Sequence, residues 1–388
     1  MYEVTFIHSV TNDIGLHPSH TVIRDEIKSQ QFSKKIYWLP TLWGTINFLN
    51  KPFLKNLIND LKNDAYFIYD ISTEPVKPDV VNDNLAPLIN LFKQNKISLK
   101  KLIVLSPTPQ SLFGTYDYGY LFFNSLIYNF VHKYKTSKIF NLTSNKQFKK
   151  HFLSLSRKDT LERRYINYLL HTENLFDKGL VSHARAGIRI RPNLSDVETA
   201  KQDFNFIRRN NLDKQNYIKY GFKRHFLDTN AMNNHELYDK LYVNNFETHQ
   251  SLSNNVFCEL VNETNAYGSD SLFITEKTLK PIISRNLFII IANPFVLSFL
   301  RKLGFKTFPH IFEESYDYEI DDVKRTKIVF ENLKRYCAIS MSDCKKIYDD
   351  NRELLDYNYN HLLKTTWDFT IKNRVERYIT KESLQCMK

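Results

Sequence analysis

A short run of Thr, Glu and Lys residues has the composition of a site for phosphate groups and sugar hydroxyls. Thr275, Glu276 and Lys277 begin a predicted helix in which Lys280 lies one turn further on. Thr275 can cap this helix, and the free backbone N–H groups of its first turn favour an anion. Lys277 and Lys280 are three residues apart, so we expect both ammonium groups on one side of the helix. The pattern therefore predicts a diphosphate site in which Glu276 accepts hydrogen bonds from a pair of ribose hydroxyls.

Apolar segments on either side of this run predict the strands that position it. A strand predicted over 256–261 ends shortly before Glu263, and another over 287–291 follows the helix predicted over 276–284. Ligands of parallel sheets bind at the carboxyl ends of the strands, so Glu263 is included in the predicted site. A capped and charged surface helix without any ligand is the alternative interpretation of the whole run.

The same region resembles a known group of enzymes. The block FITEKTLKPI at 273–282, followed by an apolar strand and FLRKLGFKTF at 299–308, is similar to the donor-site region of glycosyltransferases from phages and large viruses. Its Thr-Glu-Lys portion resembles the donor motif of the α-1,3-fucosyltransferases, which have the two-domain GT-B fold. The resemblance covers residues 255–310 and, more weakly, residues 151–185.

The resemblance implies a donor site for a nucleotide sugar. Glu276 would bind the ribose and Lys277 a phosphate, while Arg157 in FLSLSRKDTLERR would contact the diphosphate. No counterpart of the fucosyltransferase glutamate base is apparent in the first domain, so neither fucose nor GDP is implied. No cofactor is expected beyond the nucleoside-diphosphate sugar, for which UDP is favoured. The predicted donor-binding set is Arg157, Glu263, Thr275, Glu276, Lys277 and Lys280.

Sugar transfer also needs a base for the acceptor hydroxyl and groups that stabilise the departing diphosphate. Arg157, Lys277 and the helix N-terminus can stabilise it without a metal ion, and the nearest approach to an Asp-x-Asp metal motif is Asp317-Tyr318-Glu319. The four cysteines have no C-x-x-C spacing and no nearby histidine pair, so no metal site is predicted. A carboxylate that merely caps a loop is the alternative for each candidate base. The candidate bases follow predicted strands of the first domain and are Asp13, Asp70 and Glu74.

An excess of basic residues indicates an anionic partner. The chain of 388 residues carries 54 Lys and Arg against 42 Asp and Glu, a formal net charge of +12. Segments 133–164 and 185–224 are rich in Lys and Arg, and the second interleaves them with Phe and Tyr, as nucleic-acid-binding segments do. A solvated basic face above core aromatic residues fits this pattern equally well. The candidate nucleic-acid-binding residues are Arg163, Arg164, Arg208, Arg209, Lys223 and Arg224.

Strands that alternate with helices predict an α/β fold with parallel sheets. The predicted strands of the first series are 2–8, 35–39, 65–71, 102–105 and 138–142, and its helices are 47–62 and 86–97. A second series begins at His151 with strands over 152–155 and 180–183, a helix over 159–170, and then an irregular basic stretch to about residue 250. The last helices are predicted over 295–303, 321–337 and 342–378.

We therefore predict two Rossmann-like domains that face a cleft, as in GT-B enzymes. Residues 1–148 would form the acceptor domain, and residues 149–340 the domain that binds the nucleotide sugar. Residues 341–388 would be C-terminal helices that pack back on the first domain. The oligomeric state is not predicted.

The leading hypothesis is a glycosyltransferase that moves a sugar from a nucleoside diphosphate to a hydroxyl group. The abundance of Lys, Asn, Tyr, Ile and Phe is typical of AT-rich genomes, including those of phages that glycosylate 5-hydroxymethylcytosine in their own DNA. We therefore expect duplex DNA as the acceptor. The alternatives are transfer to a surface glycan or virion protein, and a non-catalytic nucleic-acid-binding protein on a degenerate transferase scaffold.

Several other classes of protein are disfavoured by missing motifs. The sequence contains no G-x-G-x-x-G, P-loop, G-x-S-x-G or H-E-x-x-H motif. Its longest apolar stretch, 287–300, is too short to span a bilayer and contains Pro294. We therefore expect a cytoplasmic protein with no membrane partner, in the host cell if the chain is viral.

Overall fold

The computed structural model divides the chain into two compact units. The first comprises Met1–Lys133, Ser269–Ile274 and Leu363–Lys388, and the second comprises Tyr134–Gly268 and Thr275–Leu362. The domains predicted from the sequence, 1–148, 149–340 and 341–388, have other boundaries and stay a prediction. The structure describes residues 2, 4–6, 27, 30–40, 51–72, 78–108, 117–136, 146–156, 159–183, 196–223, 225, 246–264, 266–268, 272–368 and 371–386.

The described part of the first unit contains a parallel sheet. Its strands are β1 Val4–Phe6, β2 Ile36–Pro40, β3 Tyr66–Asp70, β4 Leu102–Ser106 and β5 Gly119–Phe122. They lie in the order β1-β2-β3-β4-β5, and each neighbouring pair is parallel. The helices that connect and follow them are α1 Lys51–Asn63, α2 Pro78–Gln94 and α3 Ser125–Thr136.

One side of this sheet packs against α1 and α2. Because successive strand residues face opposite sides, every second residue of each strand contributes to this core. Phe67 and Val104 are buried here together with Leu61 of α1 and Phe92 of α2. Burial of these apolar side chains is the main stabilising term for this layer.

The other side of the sheet packs against the C-terminal helix, Ile371–Cys386. Trp38 and Ile68 lie in the same core as Val375 and Ile379 of that helix. The end of the chain therefore belongs to the first unit, although it follows the second unit in the sequence.

The second unit has a parallel sheet in which the strand order reverses. Its strands are β6 Lys150–Ser156, β7 Gly179–His183, β8 Val256–Asn262 and β9 Leu287–Ile291. They lie in the order β7-β6-β8-β9, and all three neighbouring pairs are parallel. The chain adds β7 on one side of β6 and β8 on the other, so the reversal lies between β6 and β8. Open parallel sheets bind ligands outside the carboxyl ends of their strands at such a reversal.

The remaining described helices belong to the second unit, except that the last of them ends within the first unit. They are α4 Leu161–Thr172, α5 Asp196–Arg209, α6 Phe246–Asn254, α7 Glu276–Ile283, α8 Val296–Lys302, α9 Asp322–Cys337, α10 Met341–Asp350 and α11 Arg352–Asp368. A short helical segment Lys214–Asn216 continues into a π-helix, Tyr217–Gly221. Within the described ranges, no helix combines the length and apolar composition needed to cross a membrane.

The α/β class with parallel sheets is confirmed in both units, whereas some predicted elements differ. The single helix predicted over 342–378 is wrong, because Asn351 adopts φ −112° and ψ 9° and ends α10, where its side chain donates to the Ile347 carbonyl at 2.8 Å. The stretch interpreted as irregular contains α5 and α6. The strand predicted over 138–142 lies outside the described residues.

Replacing Ile379 by Ala tests the place of the C-terminal helix. Ile379 is buried against the first sheet, so we expect the free energy of unfolding to fall by roughly 2–5 kcal/mol. Urea denaturation followed by tryptophan fluorescence measures the change, because Trp38 lies in the same core. The control is Thr380→Ala at the adjacent exposed position, with an expected change below about 0.5 kcal/mol. Equal stability of the two variants would contradict this packing.

Candidate nucleotide-binding site

A buried carboxylate, Glu263, organises the carboxyl end of β8. The residue is 1% exposed, and its backbone N–H donates to the Ile291 carbonyl of β9 at 3.0 Å. Its Oε1 accepts from the Thr275 backbone N–H at 3.0 Å and from the Thr278 hydroxyl at 2.6 Å. Its Oε2 accepts from the Thr275 hydroxyl at 2.6 Å and from the Thr264 backbone N–H at 3.1 Å. These four donors compensate the burial of the charge and tie the start of α7 to the end of β8.

The position of Glu263 differs from the predicted role in ligand binding. Both carboxylate oxygens are occupied by donors from the protein itself. Glu263 is therefore a positioning residue, which holds the start of α7.

Thr275 caps α7, as the sequence predicts. It has extended backbone geometry, and its Oγ1 accepts from the Lys277 backbone N–H at 3.3 Å. The same oxygen accepts from Lys277 Nζ at 3.1 Å, and the Thr275 hydroxyl donates to Glu263. These bonds use the full hydrogen-bonding capacity of the Thr275 hydroxyl. The N-terminus of α7, with the positive end of the helix dipole, is thereby fixed beside the carboxyl end of β8.

Glu276 and Lys277 are the partly exposed charges of the site. Their side chains are 25% and 27% exposed, and Lys277 Nζ donates to Glu276 Oε1 at 3.0 Å. The Thr264 hydroxyl is another acceptor for this ammonium, at 3.2 Å. Burial alone would raise the pKa of Glu276, but the charges of Lys277 and the buried Lys280 outweigh it and lower the pKa to about 2. Glu276 is therefore ionised at neutral pH and can accept hydrogen bonds from hydroxyl groups.

Polar groups also gather at the reversal between β6 and β8. Asn262 Nδ2 donates to the hydroxyls of Ser154 at 3.1 Å and Ser156 at 3.0 Å, so it joins the two strands. Its Oδ1 is buried without a hydrogen-bond partner in the described part of the chain. Arg163 of α4 donates from Nη2 to the Asn262 carbonyl at 3.4 Å. The structure thus brings a guanidinium group to the same strand end as the carboxylate of Glu263.

Arg325 of α9 holds the loops that follow β8 and β9. The residue is 1% exposed, and its Nε donates to the Ala292 carbonyl at 2.7 Å. Its Nη2 donates to the Ala266 carbonyl at 2.9 Å and its Nη1 to the Glu319 carbonyl at 2.8 Å, while Asp322 forms an ion pair with it. Arg325 was not predicted as a site residue, because its main partners are backbone carbonyls that no side-chain pattern reveals.

Asp70 is the candidate base that the structure describes. It is 0% exposed and accepts from the indole N–H of Trp38 at 3.0 Å and from the Ser72 backbone N–H at 2.9 Å. Its geometry is that of a carboxylate that caps a loop, and its burial leaves no surface for a substrate hydroxyl. Other predicted site residues lie outside the described ranges, namely Asp13, Glu74, Arg157 and Arg224.

Two of the predicted nucleic-acid contacts are corrected. Arg164 is buried and forms ion pairs with Asp159 at 2.9 Å and Asp203 at 3.0 Å. Arg163 is also buried, beside the end of β8. Neither side chain is available to a nucleic acid, because both are used within the second unit. Exposed positions are found instead at Arg208, Arg209 and Lys223.

The acidic turn at 317–319 has a structural role. Asp317 accepts from the backbone N–H groups of Leu297 at 2.7 Å and Ser298 at 2.8 Å, which caps α8. Among the residues that the structure describes, no group of three His, Cys, Asp or Glu side chains is arranged to hold a metal ion.

Two solved structures align with most of the chain at low identity. A UDP-forming α,α-trehalose-phosphate synthase from Burkholderia xenovorans has a TM-score of 0.40 and 9% identity, with 92% of this chain and 77% of that chain covered. The enzyme of the same description from Burkholderia vietnamiensis has a TM-score of 0.38 and 10% identity, with 92% and 76% covered. No protein-family model and no curated protein matches the chain. Similarity at this level carries no inference about the reaction of this chain.

The lowered pKa of Glu276 predicts a contribution to stability that depends on pH. The pKa falls from an ordinary value of 4.5 to about 2 on folding, so the stabilisation is complete above pH 4.5 and is lost as the pH falls towards 2. Glu276→Gln is therefore expected to be less stable than the wild type at neutral pH, with a difference that shrinks over that acidic interval. Chemical denaturation at a series of pH values measures it, and a difference independent of pH would contradict the assignment.

Proposed function

We propose that the second unit binds the nucleoside diphosphate of a nucleotide sugar at the N-terminus of α7. The observation that carries the proposal is the Glu276–Lys277 pair, which is partly exposed where a parallel sheet reverses its strand order. Lys277 and the helix N-terminus suit phosphate oxygens, and the ionised Glu276 suits the hydroxyls of a ribose. UDP is the nucleotide that we favour, and the reaction is glycosyl transfer.

In the proposed reaction, the bond between sugar C1 and the diphosphate oxygen breaks, and C1 forms a bond to the acceptor oxygen. The hydroxyl proton passes to a base, and the departing diphosphate keeps the electron pair of the broken bond. Lys277, the N-terminus of α7 and Arg157 would stabilise the negative charge that develops on this diphosphate. Because Glu263 fixes the start of α7 beforehand, little reorganisation would be needed at the moment of transfer.

For the acceptor we propose the hydroxyl group of 5-hydroxymethylcytosine in duplex DNA. The formal net charge of +12 and the exposure of Arg208, Arg209 and Lys223 support a polyanionic acceptor. A hydroxyl carried by the base projects into the major groove, so transfer would not require base flipping. Such an enzyme would act in the cytoplasm of the cell that holds the DNA. Transfer to a surface glycan or virion protein would require no affinity for DNA, which separates the two acceptors.

Nucleotide binding tests the donor site directly. Thermal unfolding is measured with UDP, GDP, dTDP, ADP and CMP, since a ligand at about 100 times its Kd adds roughly 2.7 kcal/mol of stability. We expect a nucleoside diphosphate to give the largest shift. Lys277→Ala and Glu276→Ala should each weaken its binding about tenfold or more, because each removes a charge-assisted hydrogen bond worth roughly 1.5–3 kcal/mol. Lys324→Ala, at an exposed lysine of α9, is the control and should keep full affinity.

Two results would contradict the proposal. Unchanged nucleotide affinity in Lys277→Ala or Glu276→Ala would remove that residue from the site. If the wild type shows no thermal shift with any of the nucleotides but binds DNA strongly and with a steep salt dependence, a non-catalytic nucleic-acid-binding protein is favoured. If a nucleotide does bind, Glu276→Ala is expected to abolish sugar transfer to hydroxymethylated DNA while DNA binding survives.

A further inference from the structure

One surface of the second unit carries basic residues with few acidic neighbours in the same segment. We define the basic surface by six exposed residues of 201–223, namely Lys201, Arg208, Arg209, Lys214, Lys219 and Lys223. The acidic residues of that segment are Asp203 and Asp213. Asp203 is buried and pairs with Arg164, while Asp213 accepts the backbone N–H of Asn216 at 2.9 Å. The positive charge of this surface is therefore poorly balanced from within the segment.

The basic surface joins two elements into one face. Lys201, Phe204 and Arg208 are spaced by three and four residues on α5, so they form a stripe along one side of the helix. Lys214 lies beyond the end of α5, and its Nζ is 5.6 Å from the centroid of the Phe204 ring. That contact places the segment after α5 beside the stripe. Phe204 is 50% exposed and Ile218 is 53% exposed, so apolar side chains lie among the charges.

Buried contacts fix the geometry of this surface in advance. Arg164 of α4 pairs with Asp203 on the inner side of α5, and Asp203 also accepts from the Tyr217 hydroxyl at 3.0 Å. Asn167 of α4 donates to the Lys223 carbonyl at 2.9 Å. Both parts of the surface are thus anchored to the same helix, and little ordering is needed when a partner binds.

We propose that the basic surface binds the phosphate backbone of duplex DNA and so holds the acceptor near the enzyme. This rests on the proposed function, because it assigns the DNA acceptor to a surface of the unit that binds the donor. Cationic side chains that replace condensed counterions supply most of the affinity of proteins for DNA backbones. A membrane surface is the less suitable partner, because the segment exposes two large apolar side chains, Phe204 and Ile218, against six basic ones.

Charge reversal on this surface tests the proposal. The affinity for a fluorescently labelled DNA duplex is measured by anisotropy between about 50 and 200 mM salt. Arg208→Glu combined with Arg209→Glu is expected to weaken binding about tenfold or more and to reduce the salt slope by about 2, as the loss of two phosphate contacts requires. The control is Lys324→Glu combined with Lys327→Glu, which makes the same change of net charge at exposed positions of α9. This control should bind DNA far more tightly than the Arg208/Arg209 variant.

The outcomes separate this proposal from the proposed donor site. Equal DNA affinity in the two double variants would overturn the assignment of the basic surface. Binding to phosphatidylglycerol vesicles without binding to DNA would overturn it in favour of a membrane partner. Nucleotide-induced thermal shifts are measured on the same proteins and should be unchanged in both. A wild type that binds DNA through this surface but shows no nucleotide shift would refute the donor site while leaving the basic surface supported.

Discussion

The four hydrogen bonds accepted by Glu263 are the constraint on which the candidate site depends. A buried carboxylate is costly unless its oxygens are fully paired, and here each oxygen accepts one backbone N–H and one hydroxyl. The donors come from Thr264, Thr275 and Thr278, so a strand end, a helix cap and the first turn of a helix are locked together. Glu276 and Lys277 are therefore held where they are by a residue that itself has no capacity left for a ligand.

The hydrogen bonds to Glu263 lie beside the point where the strand order of the second sheet reverses. The strand order reverses between β6 and β8, which is where open parallel sheets bind ligands, and Asn262 ends β8 with Glu263 directly after it. Arg325 also fixes the loops after β8 and β9, because it donates hydrogen bonds to their backbone carbonyls. Fixed charges beside a helix N-terminus at this reversal are suited to a nucleoside diphosphate, which is the ligand we propose.

The sequence predicted the elements of the site better than the contacts inside it. Strand 287–291 and the cap at Thr275 follow from an apolar run and from helix-start chemistry, both of which are local signals. The donors to the Glu263 carboxylate lie up to 15 residues away and the partners of the Arg164 side chain up to 39, so no local pattern could distinguish a positioning residue from a ligand-binding one. Arg163 and Arg164 were predicted as DNA contacts although both are buried, because charge patterning does not report burial.

Hydrogen–deuterium exchange of the wild type with and without UDP is the decisive experiment, because it locates the nucleotide without any substitution. We expect slower exchange in peptides that cover 263–268 and 275–283, where Glu263 holds the start of α7. The C-terminal helix, 371–386, should be unaffected and serves as an internal reference. Protection confined to other parts of the chain, under conditions where UDP binding is demonstrated, would contradict a nucleotide site at the start of α7.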